Sequence, residues 1–224
     1  MPAVADRLEV HLVVIAKEPV PGRVKTRLTP PYLPEQAAQL AEASLVDTLD
    51  AVLATPVTRR SLVLDGAAGD WMPPGLDVIP QRGAGLDERL TAAFADAERR
   101  RGGPLLLVGM DTPQLSPKLL TAAADLLLRP AVDAVLGPAS DGGWWALGLR
   151  RADAAVLLGV PMSTPETGQR QLTRLRRHGL RVGLLPTLTD VDDSDSAQRV
   201  AAQAPGARFA LTLHAMLQPL SVAR

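Results

Sequence analysis

The stretch "VHLVVIAKEPVPGRVKTRLTP", residues 10–30, joins an apolar run to a basic loop. The run "VHLVVI" predicts a buried strand. The loop behind it contains Lys17, Arg23, Lys25 and Arg27, together with prolines and a glycine that disfavour a helix. The stretch therefore predicts a strand that ends in a stiff, positively charged loop.

The rest of the chain alternates between strand and helix patterns. Strands alternating with helices predict an α/β fold with one mostly parallel sheet, helices on both faces, and a single domain over residues 1–224. In such sheets, ligands bind outside the carboxyl ends of the strands. The predicted strands are 9–16, 59–65, 76–81, 104–110, 132–139, 143–150 and 180–187, and the predicted helices are 34–54, 86–100, 116–129, 164–179, 194–204 and a C-terminal helix 206–218.

Composition excludes several classes of protein. The 224 residues have a formal net charge of +0, so no overall field favours nucleic acid or an anionic membrane. The chain has no Cys, which excludes disulfides and thiolate metal sites. We see no signal peptide and no apolar run long enough to span a bilayer, so we expect a cytoplasmic protein.

The first loop has the chemistry of a phosphate site. Of 24 basic residues only Lys17, Lys25 and Lys118 are Lys, and two of these lie in this loop. Lys offers a compact charge that suits a phosphate oxygen, and Gly22 would let the backbone approach the ligand closely. Solvated surface charges are the alternative interpretation. The loop matches neither the Walker nor the Rossmann pattern.

Two acidic loops are candidates for a divalent cation. Asp111 directly follows the most apolar strand, where a lone carboxylate needs a partner, although a simple turn with the following Thr-Pro is the alternative. "LTDVDDSDSA", residues 188–197, contains four acids. A helix cap explains some of them, but Asp190 and Asp192 precede the helix. A second metal carboxylate and a plain cap both remain open for this loop.

The segment "GPASDGGWWALGL", residues 137–149, contains a turn signal followed by two Trp residues. Adjacent residues of a strand point to opposite faces. One Trp therefore packs in the core, and the other is free to line a pocket.

Taken in order, "AKEPVPGRVKTRL", "GLDERL", "GMDTPQL", "GPASDGGWWALGL" and "LPTLTDVDDSDSA" resemble the DUF2064 family over about residues 10–200. The resemblance implies the glycosyltransferase-A-like fold of the nucleotide-diphospho-sugar transferases. A more distant likeness is to the 2-phospholactate and phosphoenolpyruvate guanylyltransferases. The chain departs from the family at Leu86, which leaves the register of "GLDER" open, and at Met162, where members usually carry Trp.

The resemblance also implies roles for individual residues. The first loop and "GLDERL" would bind the nucleotide, "DGGWW" the acceptor, and the two acidic loops Mg²⁺ or Mn²⁺. The implied nucleotide-binding residues are Lys17, Gly22, Arg23, Lys25, Arg27, Gly85, Asp87 and Arg89, with Glu88 in the same motif. The implied acceptor residues are Asp141, Gly142, Gly143 and Trp145, the implied metal ligands are Asp111 and Asp192, and the residues expected to be catalytic are Lys25 and Asp111.

Three functions are compatible with these motifs. Nucleotidyl transfer from a nucleoside triphosphate to a small phosphorylated or sugar-like acceptor needs a metal and many cations, which the sequence offers. Glycosyl transfer from a nucleotide-sugar usually uses Asp-x-Asp, and the chain has "MDTP" instead. A nucleotide-binding regulator without turnover would not need Lys25, Asp111 and Asp192 together. We expect a small-molecule acceptor and no nucleic acid or membrane partner, and a homodimer is left open.

Overall fold

The computed structural model describes residues 7–217. Seven strands form one sheet in the order β3-β2-β1-β4-β6-β5-β7. Only β6 runs antiparallel to its neighbours, so the predicted mostly parallel α/β sheet is confirmed. The strands are β1 Leu8–Lys17, β2 Val57–Asp65, β3 Asp77–Pro80, β4 Leu105–Gly109, β5 Ala134–Pro138, β6 Trp144–Leu149 and β7 Val182–Leu184.

Six α-helices within the described residues accompany the sheet. Pro34 and Pro117 begin α1 and α3, as their missing N–H groups allow. The helix predicted over 164–179 begins three residues later, because the segment before Thr167 is a loop. Residue 218 of the predicted C-terminal helix lies outside the described residues. The helices are α1 Pro34–Ala54, α2 Leu86–Arg101, α3 Pro117–Leu128, α4 Thr167–Arg177, α5 Ser194–Gln203 and α6 Arg208–Leu217, and 3-10 turns cover Thr26–Leu28 and Ala154–Val156.

Each face of the sheet has its own apolar core. On one face, α1 and α3 cover alternate residues of β1, including Leu12 and Val14. On the other face, α2 and α4 cover the residues between them, including Val13. A third cluster joins the outer side of α1 to α5 and α6. Burial on both faces explains why the central strands are continuous apolar runs.

The order of the strands reverses next to β1. The chain builds β1, β2 and β3 outward in one direction and then adds β4 on the other side of β1. A crevice forms at such a point, outside the carboxyl ends of β1 and β4. No helix among residues 7–217 is both long and apolar enough to cross a membrane.

Candidate active site

A cavity of about 920 Å³ opens at the carboxyl ends of β1 and β4. The predicted location of the ligand site therefore coincides with a large cavity of the described fold. Most of the residues singled out from the sequence line this cavity, namely Lys17, Arg23, Lys25, Arg27, Arg89, Asp111, Asp141, Gly143 and Asp192.

The first loop is shaped by a tight turn. The Arg23 amide donates to the Val20 carbonyl at 3.0 Å, with Pro21 and Gly22 between them. The φ of Gly22 is 75°, which suits the third position of a type II turn. Gly22 does not line the cavity, and its close approach to a ligand stays a prediction. The turn requires a glycine at this position because φ is positive there.

Lys25 connects the first loop to both acidic loops. Its ammonium lies 2.5 Å from Asp111 Oδ1 and also donates to the Val191 carbonyl. The Lys25 side chain is only 10% exposed, and its backbone is left-handed with φ 49°. Few residues other than glycine adopt this conformation. The local backbone therefore bears strain at a residue that joins three segments of the site.

Arg27 makes the second ion pair of the cavity. Its guanidinium donates to Asp192 Oδ2 at 2.7 Å, and this hydrogen bond raises the pKa of Arg27. The Arg27 side chain is 69% exposed, so the pair contributes little to stability. Arg27 is nevertheless held where a ligand entering the cavity meets it.

Asp111 is positioned by the backbone around it. The carbonyl of Asp111 accepts from the Val191 amide at 2.8 Å, which fixes the two acidic loops side by side. The preceding residue, Met110, accepts from the Ser44 hydroxyl at 2.7 Å through its carbonyl. These contacts hold the loop rigidly at the end of β4. The juxtaposition of the two acidic loops was expected from the sequence.

Asp190 lies in the same cavity as Asp111 and Asp141. Burial, and then the negative charge of Asp141, raise the pKa of Asp190 to about 6, with a smaller contribution from Asp111. The sequence marked Asp190 only as an acid that the helix cap does not explain. The cap of α5 is Asp193, whose side chain accepts from the Ser196 amide. Asp190 is thus free of the capping role and adds to a concentration of negative charge.

The carboxylates fit a cation that is shared with a ligand. Within residues 7–217, no group of three or more acidic or His side chains gathers closely enough to hold an ion alone. Mg²⁺ is commonly held by one or two carboxylates and by phosphate oxygens of the substrate. Asp111 and Asp190 both line the cavity and carry the oxygen atoms that such an ion takes as ligands. Burial is the main cause that raises the pKa of Asp190, and the negative charge of Asp141 adds to it. Asp192, predicted as a ligand, is paired with Arg27 in this structure.

The "GLDER" motif forms the start of α2, and only part of it reaches the cavity. Arg89 lines the cavity and pairs with Asp65 at 2.6 Å. Gly85 and Asp87 do not line it, and their contact with the nucleotide stays a prediction. Gly85 precedes the helix as its cap residue, and Asp87 accepts from the Gly159 amide at 2.9 Å. Both residues have structural tasks at the helix start.

Gln81 was missed by the sequence analysis. It follows β3 and lines the cavity beside Arg89. Its side-chain amide donates to the Ala16 carbonyl at 2.6 Å. A polar residue at the carboxyl end of the predicted strand 76–81, at the same sheet edge as Asp111, was the available signal.

The turn between β5 and β6 places one Trp at the cavity and one in the core. Trp144 lines the cavity, whereas Trp145 is 3% exposed and donates its indole N–H to the Pro186 carbonyl at 2.9 Å. Trp145 therefore lies in the core, and its contact with an acceptor stays a prediction. The general expectation that the two indoles point to opposite faces is confirmed.

The glycines of this turn are needed for close packing. A Cβ on Gly142 would lie 1.9 Å from the Pro165 carbonyl oxygen. Gly143 lines the cavity and Gly142 does not, and their contact with an acceptor stays a prediction. The Asp141 carboxylate accepts from the Gly143 amide at 2.7 Å and faces the cavity.

Comparison with known families gives one match. The model of a family described as "Uncharacterized protein conserved in bacteria (DUF2064)" matches residues 28–164. This range contains Arg89, Asp111 and Asp141, but it begins after Arg27 and ends before Asp190. A comparison with curated proteins finds no match.

Several solved structures share the fold. A proposed nucleotide-diphospho-sugar transferase from Desulfovibrio desulfuricans G20 is 25% identical with a TM-score of 0.82, covering 92% of this chain and 94% of that one. Rv0371c from Mycobacterium tuberculosis H37Rv, in complex with manganese, is 24% identical with a TM-score of 0.54, covering 86% and 97%. CMP:2-keto-3-deoxy-manno-octonic acid synthetase complexed with CTP is 13% identical with a TM-score of 0.56, covering 88% and 98%. The predicted nucleotide-diphospho-sugar transferase fold is confirmed.

Proposed function

Because the chain belongs to the DUF2064 family and its cavity sets Lys25 and Arg27 against a group of carboxylates, we propose that it is a transferase that uses a nucleotide donor and a divalent cation. The observation that carries the proposal is the 2.5 Å contact between Lys25 and Asp111. This contact places an ammonium group, which suits a phosphate, beside a carboxylate, which suits a metal ion. The solved relatives that bind CTP or manganese support this assignment.

Within this class we favour nucleotidyl transfer from a nucleoside triphosphate. An oxygen of the acceptor attacks the α-phosphorus, the bond from that phosphorus to the bridging oxygen breaks, and pyrophosphate leaves. Negative charge grows on the leaving oxygens, so nearby cations lower the barrier. Lys17, Arg23, Lys25 and Arg27 line one cavity and can supply that charge.

Lys25 has the most suitable environment for this role. Its side chain is 10% exposed, and electrostatic interactions are stronger where water is excluded. Arg27 offers a planar guanidinium that can bind two phosphate oxygens at once. We assign Lys25 to the departing pyrophosphate and Arg27, with Lys17 and Arg23, to orientation of the polyphosphate.

Asp111 would hold the divalent cation, with Asp190 or Asp192 as the second carboxylate. When bound, the cation supplies positive charge to the phosphate oxygens opposite Lys25. Mg²⁺ and Mn²⁺ both suit oxygen ligands of this kind. In this arrangement Lys25 exchanges Asp111 for a phosphate oxygen, and the cavity stays close to electrical neutrality.

Glycosyl transfer from a nucleotide-sugar is the second candidate. One specific observation favours it: the relative with a TM-score of 0.82 is a proposed nucleotide-diphospho-sugar transferase. Against it stands the number of cations at the cavity, which exceeds what a diphosphate requires. A regulator that binds nucleotide without turnover accounts less well for the joint presence of Lys25, Asp111 and Asp190.

Ligand-induced thermal shift tests the proposal. The full chain is heated with each nucleoside triphosphate and each common nucleotide-sugar, with Mg²⁺, with Mn²⁺ and with excess EDTA. We expect a metal-dependent rise in melting temperature with at least one triphosphate, because a ligand stabilises the state that it binds. Lys25→Ala should remove most of this rise. The absence of any shift with every nucleotide would contradict the proposal.

A further inference from the structure

Ser163 carries backbone strain at the wall of the cavity. Among residues 7–217, Lys25 and Ser163 are the two non-glycine residues with a positive φ, 49° and 58°. Both line the cavity. The left-handed conformation costs such a residue about 1–2 kcal/mol, and strain of this kind collects at ligand sites. The ion pair with Asp111 gives a reason for the strained backbone of Lys25. The strained backbone of Ser163 requires a separate explanation.

Ser163 belongs to a wall formed by Asp141, Trp144, Met162, Ser163 and Thr164, which we call the Trp144 wall. Two segments of the chain build it, the β5–β6 turn and the loop before α4.

Close contacts lock these two segments together. The Gly168 amide donates to the Gly142 carbonyl at 2.8 Å, and Gly142 packs directly on Pro165. The Thr167 hydroxyl donates to the Pro161 carbonyl at 3.0 Å. The strained conformation of Ser163 is therefore held by its surroundings, and the Trp144 wall is rigid.

The side chains of the Trp144 wall suit a sugar-like ligand. The indole of Trp144 offers an apolar face, and its N–H is buried without a hydrogen-bond partner among the described residues. Asp141 offers a carboxylate, and Ser163 and Thr164 offer hydroxyls. An aromatic face beside acceptors and donors matches a ring that carries C–H groups on one side and hydroxyls at its edge. None of the five wall residues is a cation.

The electrostatics disfavour an anionic ligand at this wall. Asp141 and Asp190 both line the cavity, and a phosphate at the wall would add negative charge beside Asp141. The cations of the cavity, including Arg27, come from the end of β1, the first loop and α2, and none comes from the two segments that build the wall. The first amides of α4 are not free to bind an anion either. The Thr167 amide donates to the Thr164 carbonyl at 3.0 Å, and the Gly168 amide is bonded to Gly142.

We propose that the Trp144 wall binds the acceptor of the reaction and that this acceptor is an uncharged polyhydroxylated molecule, such as a monosaccharide ring. That the bound molecule is the acceptor rests on the proposed function. That the Trp144 wall binds a polyol does not depend on it. The indole stacks on the ring, Asp141 accepts from ring hydroxyls, and Ser163 contributes its hydroxyl from its strained position. Phosphorylated acceptors are the class that the Trp144 wall selects against.

Saturation-transfer difference NMR on the full chain, without nucleotide, tests this inference. The probes are glucose, galactose, mannose, ribose and glycerol, each beside its monophosphate where one exists. We expect at least one neutral probe to receive saturation at its ring or chain protons, and to receive more than its phosphate ester. Trp144→Ala and the isosteric Asp141→Asn should each reduce that signal at least about threefold, since each removes a contact worth about 1 kcal/mol. Gln203→Ala, an exposed change on α5, serves as the matched control.

Two further variants distinguish the loss of a ligand contact from the loss of the fold. Trp144→Phe keeps an aromatic face and should retain part of the signal. Ser163→Gly relieves the strained backbone, so its melting temperature should not fall while the polyol signal does. The inference is overturned if no neutral probe is saturated, if the phosphate esters bind more strongly, or if the signal survives both Trp144→Ala and Asp141→Asn. Nucleotide binding is measured separately, so its failure does not affect this result.

Discussion

The Lys25 ammonium and the Asp111 carboxylate form an ion pair at 2.5 Å, between the loop after β1 and the loop after β4. This pair joins the residue assigned to phosphate with the residue assigned to the cation. A phosphate that binds Lys25, or a cation that binds Asp111, must therefore compete with this ion pair. A nucleotide and a cation that bind together avoid that competition, because each charged side chain then exchanges one partner for another.

Lys25→Met should strengthen the binding of Mn²⁺ in the absence of nucleotide. The substitution keeps an unbranched apolar chain and removes the cation that neutralises Asp111. We expect the affinity for Mn²⁺ to rise about tenfold, since a charged hydrogen bond no longer competes. Electron paramagnetic resonance of free Mn²⁺ measures this affinity, and Lys118→Met is the control. Weaker Mn²⁺ binding in Lys25→Met would show that the cation does not use Asp111.

Asp111→Asn should abolish turnover and leave the fold intact. The amide keeps the shape of the carboxylate and removes its charge, so the cation loses a ligand. We expect kcat/KM to fall by about a hundredfold or more, with little change in melting temperature. Asp195→Asn, at an exposed residue outside the cavity, should retain full activity. Near wild-type activity of Asp111→Asn would reduce Asp111 to a turn residue.

Titration of His11 should destabilise the folded protein between pH 6.5 and pH 4. This residue is buried in β1, bonded to Ser61 Oγ at 2.8 Å, and burial is the main cause that lowers its pKa from 6.5 to about 4. In this window the unfolded chain binds a proton that the folded chain excludes. His11 by itself therefore lowers the free energy of unfolding by about 3 kcal/mol as pH falls, whereas Asp190, whose pKa is raised to about 6, acts in the opposite sense.

Urea unfolding at several pH values measures this slope. His11→Gln keeps a polar side chain without a titrating group, so its free energy of unfolding should rise relative to that of the wild type as pH falls from 6.5 to 4. The exposed His178, changed to Gln, is the control and should leave the slope unchanged. An unchanged slope in His11→Gln would assign the effect to other groups.

Gly142→Ala should destabilise the protein far more than Gly22→Ala. Both glycines have positive φ, 91° and 75°, so both substitutions strain the backbone. At Gly142 the new methyl would also meet the Pro165 carbonyl at 1.9 Å, whereas nothing lies within 4 Å at Gly22. We expect a loss of about 3 kcal/mol or more against about 1 kcal/mol. Equal losses in urea unfolding would contradict the packing described for the Trp144 wall.

The sequence was sufficient for the elements and for most of the cavity because both depend on local patterns. Apolar runs and helix periodicity predicted the strands and helices, and the carboxyl ends of parallel strands located Lys25 and Asp111. The same reasoning, together with the family resemblance, predicted that Asp141 lies at the site.

Long-range packing decided the features that the sequence could not supply. Which indole faces inward depends on β5, where the absence of a side chain on Gly137 makes room for Trp145. The pairing of Arg27 with Asp192, and the crowding of Asp190 by Asp141, depend on loops far apart in sequence. The hydrogen bond that Asp87 accepts from the Gly159 amide also joins segments far apart in sequence, so local patterns could not show it.

Product analysis with a γ-labelled nucleoside triphosphate tests the central claim most directly. The full chain is incubated with Mg²⁺, the triphosphate, and a pool of unlabelled neutral and phosphorylated sugars. We predict that labelled pyrophosphate appears only when the pool is present, and that Asp111→Asn and Lys25→Met do not form it. If no triphosphate is consumed while a nucleotide-sugar yields free nucleoside diphosphate, nucleotidyl transfer is contradicted and the enzyme is a glycosyltransferase.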